Sequence, residues 1–225
     1  MYRPFEDFRT TGRFISVIGS GGKTTLLQYL SRRLPGSVIL TTSTHMYPFP
    51  GMPLVDAGGE ATPGRILADL HAALRDSRVI CLGRVLPSGK LADPSAAAPF
   101  EALLGEADYV VVEADGSAGR PLKAHRPFEP VVPACSTMVV GVAGASGLGR
   151  PALQACHCPD LFCALAGMAP GEPVGPEHVA AVLNREALAD RWLVNQADVL
   201  QGPEDARRLC DGINGEAFPC SLGRV

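Results

Sequence analysis

The feature that most constrains this chain is a glycine-rich run near its N-terminus, Gly19-Ser20-Gly21-Gly22-Lys23-Thr24-Thr25. The apolar segment Phe14–Ile18 before it predicts a buried strand, and apolar residues at helical spacing after it, among them Leu26, Leu27 and Leu30, predict a helix. Glycines at such a junction let backbone N–H groups approach an anion at the positive end of the helix dipole. The run therefore predicts a phosphate-binding loop.

Each residue of this run has an expected role. The backbone from Gly19 to Gly22 is expected to bind phosphates, Lys23 to bridge the outer phosphates as an exposed cation, and Thr25 to support the helix start. The Thr24 hydroxyl is placed to ligate Mg²⁺, so the expected cofactors are Mg²⁺ and GTP or ATP. The spacing G-x-x-G-K-T-T is similar to the compact loop of the Mur-type ligases. The alternative is a glycine turn that only happens to precede Lys-Thr-Thr.

A second informative run is an apolar strand, Tyr109–Val112, that ends in Glu113 and Asp115. A continuous apolar strand that delivers carboxylates at its end is the Walker B arrangement. The two carboxylates lie two residues apart on an extended chain and are therefore expected to point to the same side. A cation between them would remove their repulsion, so one is expected to bind magnesium and the other to position a water, in an order that stays open.

A basic cluster follows this strand, formed by Arg120, Lys123, His125 and Arg126. Arg120 in particular is expected to act in catalysis by stabilising charge on the nucleotide. The cluster is also suited to an anionic second substrate. The alternative is a set of solvated loop charges.

A late apolar strand, Arg191–Asn195, leads into Asn195-Gln196-Ala197-Asp198, which resembles the N-K-x-D base-recognition motif of GTP-binding proteins. A carboxylate at Asp198 can accept hydrogen bonds from guanine, whereas adenine turns an acceptor toward it. Asn195 and Asp198 are therefore expected to bind the nucleotide. Because Gln196 replaces the lysine of that motif, the choice between GTP and ATP stays open.

The remaining pattern predicts an α/β fold, a P-loop NTPase-like three-layer α/β/α arrangement with a mostly parallel sheet. We expect a single domain over 1–225, with a hairpin insertion outside the main sheet at 84–91 and a helical insertion at 150–190. Other expected strands lie at 38–40, 79–82, 137–143 and 217–220, and expected helices begin near residues 66, 96, 159, 176 and 203. The Thr41–His45 run is expected either to face the phosphates or to be ordinary strand threonine, and residues 47–64 to form a surface loop.

Composition limits the classes of function. A net charge of −3 gives no basic footprint for nucleic acid, and no apolar run approaches the ~18 residues of a membrane span, so neither is expected as a partner. Met1–Arg13 has no apolar signal core, which favours the cytoplasm. The seven cysteines are expected to be reduced thiols. A soft-metal site at Cys156-His157-Cys158 with Cys163 is disfavoured, since two cysteines one residue apart bind one tetrahedral ion poorly.

Taken together, the glycine-rich run, the Thr41–Met46 run and the segment Glu113–Lys123 resemble the YqeC family. The resemblance extends from about Thr11 to about Asp211. It implies a P-loop fold and a role as accessory protein in the maturation of selenium-dependent molybdenum hydroxylases. The implied partners are therefore such a hydroxylase or its cofactor.

The sequence is compatible with three functions. The leading one is a magnesium-dependent NTPase, and the second is a ligase or kinase that passes a phosphoryl group to a small acid. The third is a non-catalytic carrier whose cofactor binding is controlled by nucleotide. Phosphate release without an acceptor, release that depends on an acceptor, and tight binding without turnover distinguish the three.

Overall fold

A computed structural model describes residues 12–59 and 61–224 of the chain. Ten strands form one mixed sheet in the order β12-β11-β9-β1-β7-β2-β5-β6-β3, with β4 paired to β5. Seven strands make up the main parallel part of the sheet. They are β1 (Phe14–Gly19), β2 (Val38–Thr42), β5 (Val79–Val85), β7 (Tyr109–Glu113), β9 (Met138–Gly144), β11 (Arg191–Asn195) and β12 (Glu216–Pro219), the last at one edge. All contacts among these seven are parallel. Parallel strands covered on both faces must be apolar throughout, which explains their continuous hydrophobic runs.

The other edge of the sheet is built from short strands: β3 (His45–Met46), β4 (Leu54–Asp56) and β6 (Leu91–Ala92). The predicted hairpin forms, because β5 and β6 pair antiparallel through Arg84–Ala92 and Val85–Leu91. It is continuous with the main sheet and does not lie outside it, since its first strand is the end of β5. The predicted surface loop at 47–64 contains β4, which a three-residue strand among prolines and glycines does not reveal in advance. Two further strands, β8 (Leu122–Lys123) and β10 (Cys156–His157), form a separate parallel pair.

Helices cover both faces of the sheet. They are α1 (Lys23–Arg33), α2 (Pro63–Asp76), α3 (Phe100–Leu103), α4 (Ala152–Ala155), α5 (Pro159–Ala166), α6 (Pro176–Glu186) and α7 (Glu204–Gly212). Helix α1 packs with Ile15 and Val17 on one face, whereas α2 and α3 pack with Phe14 and Val110 on the other. Helices α4 to α7 extend the second face over Trp192. The predicted α/β class with a mostly parallel sheet is confirmed.

Two helices are shorter than the sequence predicts. The helix expected from residue 96 occupies only Phe100–Leu103, because Pro99 immediately precedes it in an extended conformation. The helix expected over 176–190 ends at Glu186, where Ala187 adopts a left-handed conformation and closes the last turn. Both differences concern element ends, which apolar spacing alone does not fix.

The strand order brings the carboxyl ends of β1, β2, β7 and β9 to one edge of the sheet. Strand β1 lies between β7 and β9, and β2 lies on the far side of β7. Because these strands are parallel, their carboxyl ends meet where α1 begins, the usual position of ligand sites in open α/β sheets.

Candidate functional site

We call the turn between β1 and α1 the glycine loop (Gly19–Gly22). Its glycine positions have a backbone conformation that other residues rarely adopt. Gly21 and Gly22 have φ values of +83° and +136°. A Cβ on Gly21 would collide with the backbone of Gly144, and one on Gly22 with the side-chain amide of Asn195. The loop therefore lies tightly against the ends of the neighbouring strands β9 and β11.

The first turn of α1 leaves its positive end open. Within the described part of the chain, no side chain caps Gly22 and the first turn contains no acidic residue. The first N–H groups of a helix have no partner within the helix. With the helix dipole, these donors favour an anion above the glycine loop.

A cavity of about 680 Å³ opens above the loop. It is lined by Gly21, Gly22, Lys23, Thr24, Thr25, Glu113, the segment Gly116–Pro121, and by side chains from both flanks of the loop, namely His45, Met46, Tyr47, Lys90, Ser146, Arg150 and Gln196. The lining includes four cations, Lys23, Lys90, Arg120 and Arg150, against one carboxylate, Glu113. We call this the central cavity; its charge is opposite in sign to the net charge of the chain, which favours an anionic ligand.

Glu113 and Thr24 bring two oxygen atoms together at the floor of the central cavity. The Thr24 hydroxyl donates to Glu113 Oε2 over 3.4 Å. Burial raises the pKa of Glu113; Lys23 and the Thr24 hydrogen bond oppose this rise, while the charge of Asp115 adds to it. Hydroxyl and carboxylate oxygens are the ligands that Mg²⁺ prefers, so this pair fits a magnesium ion.

Asp115 lies below the glycine loop and has no exposed surface. Its Oδ2 accepts from the Gly19 N–H at 2.8 Å and from His125 Nε2 at 2.9 Å, and lies 3.2 Å from Lys123 Nζ. Its Oδ1 lies 3.0 Å from Lys23 Nζ. Because four donors surround its oxygens, the arrangement favours Glu113 over Asp115 as the magnesium ligand.

Asp115 is the centre of a cluster that we call the buried network: Asp115, Lys23, Lys123, His125, Glu129 and Glu186. Lys123 Nζ also lies 3.0 Å from Glu129, and His125 Nδ1 lies 2.7 Å from Glu186. With His125 protonated, three cations face three carboxylates. Burial alone would raise the pKa of Asp115, but the His125 hydrogen bond, the two lysine charges and the Gly19 N–H outweigh it and hold that pKa at about 2.

The arrangement favours the protonated form of His125. Each of its ring nitrogens faces a carboxylate, Nε2 toward Asp115 and Nδ1 toward Glu186, and only the imidazolium donates through both. Burial favours the neutral form, but hydrogen bonds to Asp115 and Glu186 outweigh it and raise the pKa of His125. His125 thus joins the glycine loop, through Asp115, to the C-terminal end of α6.

Lys23 differs from its expected state. It was expected to be an exposed loop cation, whereas the structure buries it to 5% exposure. Its Nζ donates to the Gly19 carbonyl at 2.6 Å and to the Ser117 hydroxyl at 3.4 Å, besides pairing with Asp115. Lys23 therefore belongs to both the buried network and the floor of the central cavity.

The predicted basic cluster is divided between two environments. Lys123 and His125 are buried in the network, so they do not reach over the cavity. Arg120 is exposed, lines the cavity and donates to the Gln154 carbonyl. Arg126 is exposed and lies over the Phe128 ring. Of the four residues, only Arg120 lines the central cavity, and its catalytic role stays a prediction.

The Asn195–Asp198 motif is divided in the same way. Asn195 is buried; its Nδ2 donates to the Gly21 carbonyl at 2.8 Å and its Oδ1 accepts from the Leu222 N–H at 2.9 Å. Gln196 adopts a left-handed conformation, lines the cavity and accepts from Ser146 Oγ at 2.5 Å. Asp198 is exposed, and its N–H donates to Ser221. Asn195 is thus an anchor of the glycine loop, and its predicted contact with the base stays a prediction, as does that of Asp198.

The hydroxyl-rich run at the end of β2 bonds to the backbone through Thr42 and Ser43. Thr42 Oγ1 donates to the Glu113 carbonyl at 2.8 Å and accepts from the Thr44 N–H at 3.0 Å. Ser43 Oγ donates to the Val131 carbonyl. His45, at the end of the run, lines the central cavity. The hydroxyls therefore fix the end of β2 beside β7, while His45 faces the ligand space.

The cysteines and helices add two observations. In residues 12–59 and 61–224, no group of three or more histidine, cysteine or acidic side chains is arranged to bind a metal ion. The cysteines of that part are all free thiols, and burial raises the pKa of Cys156 to about 12.

No helix in residues 12–59 and 61–224 is long and apolar enough to cross a membrane. The absence of a signal core is an expectation for Met1–Arg13, of which residues 1–11 lie outside the described residues.

Sequence reasoning did not find several residues of the site. Glu129 and Glu186 are members of the buried network, but neither lies in a sequence motif that predicts its partner. Tyr47, Lys90 and Arg150 line the cavity from three separate loops. Only the topology of the sheet brings these loops together.

Fold and site define an α/β protein with a glycine loop between its central strand and a helix, and a cationic cavity above that loop. The YqeC protein family model matches residues 15–160, so the chain belongs to the YqeC family. It is 33% identical over 163 residues to "Uncharacterized protein YqeC" of Escherichia coli (strain K12), a match that covers 69% of this chain and 61% of the relative. The chain thus spans less than two thirds of that relative's length. No solved structure matches the chain significantly.

Proposed function

We propose that this protein binds a nucleoside triphosphate, GTP or ATP, with Mg²⁺ in the central cavity and hydrolyses its terminal phosphate. The observation that carries the proposal is the Thr24 hydroxyl 3.4 Å from Glu113 Oε2, at the open start of α1 and beside Lys23. Oxygen ligands for a divalent cation, helix N–H groups and a lysine together suit a metal-bound polyphosphate. The cavity volume of about 680 Å³ is in the usual range for small-molecule sites.

The residues of the cavity would divide the work of hydrolysis. The glycine loop and the first turn of α1 bind the phosphates, and Thr24 and Glu113 hold the metal ion, which when bound neutralises developing charge. Lys23 and Arg120 supply the remaining positive charge toward the terminal phosphate. Asp115 acts indirectly, because it holds Lys23 and the Gly19 N–H in position.

The physiological role is a wider proposal that rests on family membership alone. The resemblance noted in the sequence implies an accessory function in the maturation of a selenium-dependent molybdenum hydroxylase, in the cytoplasm. Co-purification of such a hydroxylase with the protein, stronger with nucleotide than without, supports this role. Equal recovery with and without nucleotide contradicts a nucleotide-controlled role.

The test of nucleotide binding is a thermal-shift panel of GTP and ATP with Mg²⁺. A ligand at a hundred times its dissociation constant stabilises by about 2.7 kcal/mol, which at this chain length raises the midpoint by roughly 5–10 °C. Lys23→Met is expected to remove the shift, and Arg65→Met, at a side chain 73% exposed, to leave it unchanged. Because Lys23 is ion-paired, each variant is compared with its own midpoint without nucleotide. A full shift in Lys23→Met would overturn the proposal.

Hydrolysis is tested separately by phosphate release. Release that needs Mg²⁺ and no added acceptor supports the NTPase. Tight binding without release would instead identify a nucleotide-controlled carrier.

A further inference from the structure

The central cavity extends to both sides of the glycine loop. Toward β9 and β11 its wall is formed by Ser146, Arg150 and Gln196. In the other direction, past Glu113 at the end of β7, it reaches a second wall that we call the β3–β6 wall: His45, Met46, Tyr47 and Lys90. A nucleotide whose terminal phosphate meets Glu113 occupies one of these directions, so the other is left for a different ligand.

The β3–β6 wall is built on the β5–β6 hairpin and on β3, which pairs with β6. Strands β3 and β6 pair antiparallel, Met46 opposite Leu91. Lys90 directly precedes β6 and closes the turn, since its carbonyl accepts from the Leu86 N–H at 2.8 Å. Tyr47 directly follows β3. The two side chains therefore meet because of strand pairing and not by the chance position of two surface loops.

Tyr47 and Lys90 offer two complementary features. The Tyr47 side chain is 62% exposed although it lines a cavity, so it presents aromatic surface to a ligand. Lys90 Nζ lies 5.1 Å from the centroid of the Tyr47 ring. Among the described residues, no carboxylate lies within ion-pair distance of Lys90, which leaves its ammonium available to an anion. A cation beside an exposed ring suits a ligand in which an anionic group is attached to a planar ring.

We propose that the β3–β6 wall binds a second ligand, a small aromatic compound that carries a carboxylate or phosphate group, next to the terminal phosphate of the nucleotide. The anionic group contacts Lys90 and the ring packs on Tyr47. The inference rests on the proposed function for the identity of the first ligand. It also revises the sequence expectation that the basic cluster holds an anionic second substrate, because Lys123 in that cluster is buried between Asp115 and Glu129.

The experiment measures binding of two probes, phenyl phosphate and benzoate, to protein saturated with nucleotide and Mg²⁺, by ligand-observed NMR. At least one probe is expected to bind saturably, and the preferred one shows whether phosphate or carboxylate is recognised. Lys90→Gln is expected to weaken that binding at least tenfold. Tyr47→Ala is expected to reduce phenyl phosphate to the affinity of inorganic phosphate. Arg84→Gln, on the same hairpin but exposed outside the lining, is expected to change neither.

The outcomes separate this inference from the proposed function. If nucleotide gives no thermal shift, the proposed function fails, and the probes are then measured on the nucleotide-free protein. Retained binding in Lys23→Met together with loss in Lys90→Gln supports the wall in either case. No saturable binding of either probe, equal affinity in Lys90→Gln, or displacement of the probe by nucleotide overturns the inference.

Discussion

Glu113 and Asp115 are two residues apart, yet they belong to different regions of the molecule. Glu113 lines the central cavity beside Thr24, whereas Asp115 is enclosed in the buried network below the glycine loop. The pKa of Glu113 is raised and that of Asp115 is lowered to about 2. The two carboxylates of one motif thus differ: burial disfavours the charge of Glu113, whereas neighbouring cations and the Gly19 N–H stabilise the charge of Asp115.

The difference shows how a binding loop can be both rigid and reactive. The buried network supplies fixed charge that holds Lys23 and the backbone of Gly19. The cavity keeps an unbalanced carboxylate and several cations for the ligand. Ionisable groups with a perturbed pKa in a cavity are candidates for binding or catalysis.

The largest expected effect comes from breaking the network. Asp115→Asn removes the carboxylate that faces Lys23, Lys123 and His125, and so leaves buried cations without their partner. Loss of one member of a buried ion pair destabilises by about 3–5 kcal/mol. Urea unfolding at pH 7 measures this change. Asp69→Asn, the same substitution at a side chain 53% exposed, is the control and is expected to change stability by less than about 1 kcal/mol. Equal losses in the two variants would show that the network does not stabilise the fold.

The opposite pattern is expected at Glu113. Its raised pKa means that ionising this carboxylate costs stability in the ligand-free protein, so stability is lost as pH rises through that pKa. Glu113→Gln is therefore expected to keep or raise stability while it lowers magnesium-dependent phosphate release about 100-fold, equivalent to about 2.7 kcal/mol. The exposed Glu101→Gln serves as control. Parent-level turnover in Glu113→Gln would return the metal role to Asp115.

These two carboxylates also show how far sequence reasoning reaches. The apolar run of β7 and the glycine run before α1 could be predicted because each is a local pattern with one structural solution. The two-residue strand period placed Glu113 and Asp115 on one side, but β7 ends at Glu113, so the period no longer applies to Asp115. Its surroundings depend on Lys123, His125 and distant Glu186, whose positions follow from packing of the whole chain.

His125 provides a smaller effect that depends on pH. The pKa of His125 is raised above its ordinary value of 6.5, so its stabilising contribution is fully present below pH 6.5 and is lost as pH rises through the folded-state pKa. The parent is expected to lose stability from pH 6.5 to 8.5 with a slope of at most about 1.4 kcal/mol per pH unit from this group. His125→Gln is expected to lack that slope.

The control for this pH series is His71→Gln, because the His71 side chain is 61% exposed. It is expected to keep the parent slope. The series stops at pH 8.5 since burial raises the pKa of Cys220 from 9.0 to about 12, and thiol ionisation in the unfolded chain would add its own slope. Identical slopes in the parent and His125→Gln would show that His125 is neutral in the folded protein.

The smallest effect concerns recognition of the nucleotide base. Asn195, like Asp115, is bonded within the protein, whereas Gln196, like Glu113, lines the central cavity. Asn195 is bonded to Gly21 and Leu222, whereas Gln196 faces the cavity with Ser146. We expect the base to lie against Gln196, so Gln196→Ala should change the ratio of GTP to ATP affinity about fivefold, the equivalent of one neutral hydrogen bond of about 1 kcal/mol. Asp198→Asn, at an exposed residue outside the cavity lining, should change that ratio by less than about twofold. Isothermal titration with both nucleotides measures the two ratios. A larger change in Asp198→Asn would mean that Asp198 turns toward guanine when nucleotide binds, and the motif would then read the base as its sequence predicts.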